Sequence, residues 1–397
     1  MGRNMIRKMI SFLDTPSYVF NLDQLTAHLQ LLREKLGTHT QLCYAMKANP
    51  FLIGAMEDFV DTYEVCSPGE FRICERAHIP MDKIVLSGVH KDRKDIEYVL
   101  DQYDGKGTFT VESWSHLHLL EACASKRSMK IKVLIRVTSG NQFGMDEKDV
   151  CEIIKNRDQY GALCFCGLQY YSGTQKKNIS KINKELQYLD DLCQLIETKY
   201  HYQMEELEYG PGFFVSYFQN EKEIDSTAMI DAFVTSLQQL QFQGKLKLEM
   251  GRFMAAGCGY YITKIIDQKR NQNQNYCIVD GGIHHLNYYG QTMAMKIPKF
   301  MHISKEESNL EDENETKEWN ICGSLCTVGD VLVKNLPLQH AKINDILVFE
   351  NMGAYSVTEG IYLFLSRDLP SIYTYTKTNG MQLIREALQT DSMNGAV

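Results

Sequence analysis

Apolar residues along the first 250 positions fall into short runs separated by polar and amphipathic stretches. Eight runs read as strands: 42–48 (LCYAMKA), 63–67, 83–88, 109–113, 132–137, 164–171, 206–210 and 245–251. Residues 23–36, 92–101, 115–124 and 181–196 carry apolar side chains at helical spacing. Strands alternating with helices in this way predict an α/β unit, a (β/α)8 TIM-like barrel, although a doubly wound sheet would give a similar count. After about residue 256 the texture changes. GYYITKIID and NYCIVDGG flank the polar turn NQNQN (271–275), a hairpin signal, and VGDVLVKNLPL, AKINDILVFENMGAY and IYLFLS follow. This reads as an all-β sandwich or barrel domain, with a helical pattern only at 381–388. The expected domains are a barrel over 21–255 and a β domain built from 1–20 and 256–397; Ser17-Tyr18-Val19-Phe20 alone fits either side of that boundary.

Composition narrows the class. With 397 residues, 44% hydrophobic and 23% charged, the chain has material for a sizeable core. Its formal charge of −8, with no Lys/Arg-rich run, argues against nucleic acid as a partner. Residues 305–318 hold seven acidic and two basic side chains and read as a solvated surface loop. Twelve cysteines are too few for a disulfide scaffold, and Cys43, Cys164 and Cys166 sit in apolar strands. Cys322 and Cys326 have no second close pair, so no metal is expected. The N-terminal stretch lacks a long apolar core and no run reaches 18 apolar residues. The expectation is a cytoplasmic, reduced protein without a membrane span.

In a barrel, chemistry belongs at the C-terminal strand ends. Those ends carry Lys47, Ser67, Gly88, Glu112, Arg136, Tyr171 to Thr174, Gly210 to Gly212, and Glu249 to Arg252. A lysine after an apolar run, two glycine turns and a Glu/Arg pair suit a phosphorylated carbonyl cofactor. The amine captures the carbonyl, glycine amides and the guanidinium hold phosphate, and a carboxylate pairs with a ring nitrogen.

The motifs carry a specific resemblance. Tyr44-Ala-Met-Lys-Ala-Asn49 is similar to the YAxKAN signature of the fold-type III pyridoxal phosphate decarboxylases, the diaminopimelate/ornithine/arginine decarboxylase superfamily. Glu64 to Glu70 resembles D-V-A-S-x-G-E, Gln142-Phe-Gly144 resembles K-F-G, and Gly167 to Gln175 resembles G-L-H-x-H-x-G-S-Q. Tyr209 to Gly212 resembles the G-G-G turn, Glu249-Met-Gly-Arg252 E-P-G-R, Gly323 to Asp330 G-P-x-C-x-x-x-D, and Gly353-Ala-Tyr355 G-A-Y. These stand in family order from about residue 18 to 370. The resemblance implies an alanine-racemase-like barrel with a β domain, pyridoxal 5′-phosphate as cofactor, and α-decarboxylation of an amino acid. Lys47 is implied as the covalent anchor of the cofactor and Glu249 as the ring-nitrogen partner. Arg252, Gly212, Thr174 and Tyr355 are implied to bind phosphate, with Met250 and Gly251 in the same turn and Tyr171 in place of the stacking histidine. Cys326 is implied as the proton donor that reaches across the interface of a homodimer with shared active sites.

Departures from the family bear on the substrate. Diamine-forming members have Asp or Glu after the cysteine, whereas this chain has Thr327, and a hydroxyl does not balance a desolvated ammonium. The segment Asp280-Gly-Gly-Ile-His284-His285 lacks the arginines of the diaminopimelate enzymes. The pattern resembles the subgroup acting on conjugated substrates, including aminoacyl groups on an acyl carrier protein and citryl-diaminopropionate, which implies a substrate site with Thr327 and Tyr355 and with His284 and His285 at its mouth. The alternatives are diaminopimelate decarboxylase, an amino-acid racemase, which the G-x-x-C-x-x-x-D pattern disfavours, and a non-catalytic relative, from which loss of the lysine or the cysteine is expected.

Overall fold

The structure, a computed structural model, describes residues 7, 10, 12–222, 224–291, 293–304 and 316–395. Two compact units emerge: His28–Val215 with Ile224–Met254, and Met1–Ala27 with Ser216–Glu223 and Ala255–Val397. The first strand, β1 (Ser17–Asn21), belongs to the sheet of the latter unit, where it pairs with Gly259–Ile262 and Ser371–Tyr375.

The other unit is a closed barrel of eight parallel strands. In order they are β2 (Thr40–Ala45), β3 (Thr62–Val65), β4 (Ile84–Leu86), β5 (Thr108–Val111), β6 (Ile131–Val137), β7 (Leu163–Tyr171), β8 (Glu206–Gly210) and β9 (Lys245–Met250). β9 pairs with β2 and so closes the ring, which settles the barrel against an open sheet. Each strand matches one of the eight apolar runs. Helices follow most of them: α1 (Leu22–Leu36) precedes β2, and α2 (Pro68–Arg76), α3 (Arg93–Tyr103), α4 (Trp114–Ser125), α5 (Glu147–Lys155), α6 (Ile179–Tyr200) and α7 (Ser226–Leu237) follow in turn.

The strand-to-helix turns are built from capping side chains. Ser67, Asp92, Ser113, Asn178 and Asp225 each accept from a backbone N–H in the first turn of α2, α3, α4, α6 and α7. Each cap satisfies an otherwise orphaned donor, typically worth about 1 kcal/mol. Inside the barrel Cys43, Val85, Leu134 and Cys166 form an apolar cluster, and these cysteines are free and buried.

The other unit is a nine-stranded sheet. Its remaining strands are β10 (Gly259–Asn271), β11 (Gln274–Val279), β12 (Phe300–Ile303), β13 (Thr316–Cys322), β14 (Val331–Gln339), β15 (Ile346–Glu350), β16 (Ser371–Thr376) and β17 (Gly380–Arg385). They run in the order β14-β13-β11-β10-β1-β16-β17, with β15 on β10 and β12 on β15. The polar turn does make a hairpin: Gln272 and Asn273 both adopt left-handed φ between β10 and β11. Two expectations fail here. In the helical pattern at 381–388, residues 381–385 are strand β17, because Gly380 (φ +68) turns the chain back onto β16. IYLFLS (361–366) contributes a short 3-10 turn, Phe364–Ser366, rather than a strand. Of the acidic segment, residues 305–315 lie outside the described residues and 316–318 open β13. No helix among the described residues is long and apolar enough to cross a membrane.

Candidate active site

The apolar run before Lys47 ends sooner than its sequence suggests. β2 stops at Ala45, and Met46–Ala48 form a single 3-10 turn that lifts Lys47 off the strand end. Its side chain is 39% exposed rather than buried. The ammonium donates to Glu64 on β3 and lies 3.6 Å from Glu249 Oε1 on β9 and 3.6 Å from Cys66 Sγ. Gly251 follows Glu249 because the backbone passes against this turn: a Cβ there would stand 2.9 Å from the Ala48 Cβ.

Glu64 and Glu249 titrate in opposite directions. Burial alone raises Glu64, but the Lys47 ammonium overrides it and pulls the carboxyl down to about 2. Burial, then the charge of Glu64, pushes Glu249 up to about 8. Burial, then the charge of Glu249, also raises Tyr171, whose hydroxyl interacts with Thr174. Met250 is buried, and strand alternation turns its side chain to the face opposite Glu249, leaving only its backbone for a ligand.

The turns after β7 and β8 press backbone against backbone. Lys176 N–H donates to the Gly212 carbonyl at 2.9 Å. Gly212 has φ +61, and a Cβ there would run into the Gly173 carbonyl oxygen beside Thr174. These features fit pyridoxal phosphate on chemical grounds: an amine at Lys47, a buried carboxylate at Glu249, a glycine-lined backbone cradle at Gly173 and Gly212, and a guanidinium at Arg252. Lys47, Tyr171, Thr174, Gly212, Glu249, Met250, Gly251 and Arg252 all stand at the C-terminal ends of β2, β7, β8 and β9.

The remaining expected residues belong to the sheet unit. Cys326 and Thr327 are exposed at a tight loop between β13 and β14. Buried Asp330 pins that loop, accepting from Ile283 N–H at 2.8 Å and Leu325 N–H at 2.7 Å. Gly282 and Gly323 are required beside it, since a Cβ on either would overlap the carboxylate. This is the physical content of the glycine–cysteine–aspartate spacing. Both residues line a cleft of about 920 Å³ that also holds Lys269, Lys334 and Arg367.

Tyr355 takes a left-handed φ of +69 after Gly353, where any Cβ would strike the Ala255 carbonyl. His284 and His285 are both 1% exposed, with ring centroids 3.7 Å apart. The His285 ring meets the Tyr261 hydroxyl at 3.1 Å, and Tyr18 donates to its carbonyl. Burial, followed by the Arg367 charge, brings His284 down to about 4, and burial with His284 alongside holds His285 well below the usual range. Neither they nor Tyr355 line the Cys326 cleft.

Residue-by-residue reading missed a second group inside the barrel: Gln169, Glu206, Glu208 and Lys247. Gln169 Nε2 donates to Glu208 Oε1 at 2.6 Å and to Glu249 Oε2 at 3.4 Å. Lys247 Nζ lies 2.6 Å from Glu206 and 3.4 Å from Glu208. The signal was present in ELEYG and KLKLEMG, where charges recur at every second position and so share one strand face.

Residues 22–256 match the family model described as the pyridoxal-dependent decarboxylase, pyridoxal binding domain. An L-glutamyl-[BtrI acyl-carrier protein] decarboxylase from Niallia circulans is 27% identical, over 96% of this chain and 93% of that protein. A 2-[(L-alanin-3-ylcarbamoyl)methyl]-2-hydroxybutanedioate decarboxylase from Staphylococcus aureus is 23% identical, over 91% of this chain and 94% of that protein. The crystal structure of diaminopimelate decarboxylase from Helicobacter pylori, complexed with L-lysine, shares the fold with a TM-score of 0.84 at 22% identity, covering 98% of each chain. With the family model matching more than half of its length, the chain belongs to the pyridoxal-dependent decarboxylases.

Proposed function

We propose that the protein removes the α-carboxyl group of an amino acid whose side chain is uncharged or conjugated, such as an aminoacyl group tethered to a carrier protein. The observation that carries this reading is Thr327, exposed beside Cys326 where a carboxylate would be needed to receive a distal ammonium. The cleft around both residues supports it: Lys269, Lys334 and Arg367 line it, while Asp330 is already engaged by backbone amides and Asp267 remains as the other acid. Such a lining favours an extension that is neutral or anionic. The two relatives named for acyl-carrier and citrate-derived substrates agree with it.

In this reading bound pyridoxal phosphate supplies the electron-accepting ring for the pair left on Cα when the carboxylate departs as CO2. Lys47 Nζ anchors the cofactor, and Glu249 holds its ring nitrogen. The amides about Gly212, the Thr174 hydroxyl and the Arg252 guanidinium bind the phosphate, and Tyr355 adds a hydroxyl. The Cys326 thiol returns a proton to Cα, so that one proton is consumed for each CO2 released. Cys326 acts on the substrate of a partner subunit in a homodimer. Exposed Val328, Met293 and Ile361 around a second cavity of the sheet unit are the kind of apolar surface such an interface covers.

The test supplies purified protein and pyridoxal phosphate with an L-glutamyl-acyl-carrier protein, citryl-diaminopropionate and free meso-diaminopimelate, and measures CO2. Release from a conjugate, with the cofactor's visible absorbance band lost in Lys47→Ala, is expected. Turnover of free diaminopimelate alone would overturn the substrate reading, and an unchanged band in Lys47→Ala would overturn the anchor.

A further inference from the structure

The interior of a β/α barrel is ordinarily filled by layers of branched apolar side chains. Here part of it is ionic. Lys247, Glu208 and Gln169 are 2%, 0% and 1% exposed, and they connect in one line from Glu206 to Glu249. Burying such a line costs stability unless each charge is paired, and apolar residues of similar volume usually serve packing as well or better. Its placement directly behind Glu249 therefore asks for a reason beyond packing.

The geometry supplies one. A glutamine amide nitrogen has two protons, and here both neighbours, Glu208 Oε1 and Glu249 Oε2, are acceptors. The amide turns its nitrogen end toward both oxygens. Glu249 Oε2 is thereby engaged from inside the barrel, while Oε1 faces the Lys47 turn at 3.6 Å. Glu208 presents its other oxygen to Lys247, at 3.4 Å. Without that ammonium a fully buried Glu208 would take up a proton and weaken its hold on Gln169; burial already raises its titration range, with Lys247 opposing. Position 169 is also where this chain departs from the first histidine of the G-L-H-x-H pattern, so the device is a feature of its own sequence.

We propose that Gln169, backed by Glu208 and Lys247, is a positioning residue that locks Glu249 so that one carboxylate oxygen is presented to the ring nitrogen of the cofactor. The proposal rests on the assignment of Glu249 as the ring partner. The relay touches neither substrate nor cofactor. It acts by removing the rotational freedom of Glu249, and its loss falls on cofactor binding and on the electronic state of the bound ring more than on substrate affinity.

The experiment compares wild type, Glu249→Gln, Gln169→Leu, Lys247→Met and the charge-balanced pair Glu208→Gln/Lys247→Met. It reads pyridoxal phosphate affinity, the position of the bound cofactor's visible absorbance band, substrate KM and kcat, and Tm. Gln169→Leu is expected to weaken cofactor affinity about tenfold, to move the band, and to lower kcat with little change in KM. Lys247→Met should do the same. The pair should restore both affinity and band, because the amide oxygen introduced at position 208 still accepts from Gln169 without needing a counter-charge. If Lys247→Met fails to fold, Gln169→Leu and the pair carry the test. Gln169→Leu with wild-type affinity and band, whether or not Tm falls, would overturn the relay while Glu249→Gln remains impaired. Indifference of Glu249→Gln itself would overturn the assignment on which the relay rests.

Discussion

Glu249 and Glu64 face each other across the barrel rim, yet one is raised to about 8 and the other lowered to about 2. The difference lies in which of them holds Lys47: Glu64 accepts directly from the ammonium, while Glu249 keeps the cost of burial and the repulsion of Glu64. A carboxyl whose folded value lies above its unfolded value binds more protons in the folded state. Glu249 therefore lowers stability progressively as pH rises from about 4.5 towards 8. Glu64 works the other way, with a contribution present above about 4.5 and lost as pH falls towards 2. In cofactor-free protein, Glu249→Gln should gain on wild type by roughly 3 °C or more in Tm between pH 5 and pH 8. Thermal melts across that range check it; a difference independent of pH would mean that Glu249 is not the group held protonated.

At the scale of elements, the loop between β13 and β14 shows how a motif can be structural in most of its letters. Gly323, Asp330 and the amides of Ile283 and Leu325 build the turn, and Cys326 and Thr327 stand with Val328 and Gly329 at its exposed tip. Asp330→Asn replaces one acceptor by a donor facing a backbone N–H. It should cost about 1–3 kcal/mol, cut decarboxylation sharply, and leave the cofactor's absorbance band in place, since the barrel holds that cofactor. Melts, CO2 assays and spectra on one preparation check the three together. The same scale explains what was legible in advance. The eight barrel strands were readable because each is an apolar run bounded by a capping or glycine turn, and the β10–β11 hairpin because NQNQN tolerates left-handed φ. Residues 381–388 misled because Met381, Leu383, Ile384 and Leu388 fall at helical spacing, although the first three lie on a short edge strand. The buried line from Glu206 to Glu249 was missed for a different reason. Strand patterning identifies a shared face, but only closure of the barrel makes that face an interior.

At the scale of the whole molecule, the proposed division of labour has a consequence that stability and spectra do not reach. Lys47 is carried by the barrel and Cys326 by the sheet unit, and in the homodimer proposed above each catalytic centre takes its lysine from one subunit and its cysteine from the other. Lys47→Ala and Cys326→Ala homodimers should then each be nearly inactive. Mixed, unfolded and refolded together in equal amounts, they form heterodimers in which one centre receives both defects and the other receives none. Random pairing makes half the dimers mixed, so the mixture should regain about a quarter of wild-type activity. The recovered activity should also follow the fraction of heterodimer separated by a tag on one variant. If each centre instead drew both residues from a single chain, no pairing would create an intact centre and the mixture would stay as inactive as its parents. That result would leave the cofactor chemistry standing and remove the shared centre.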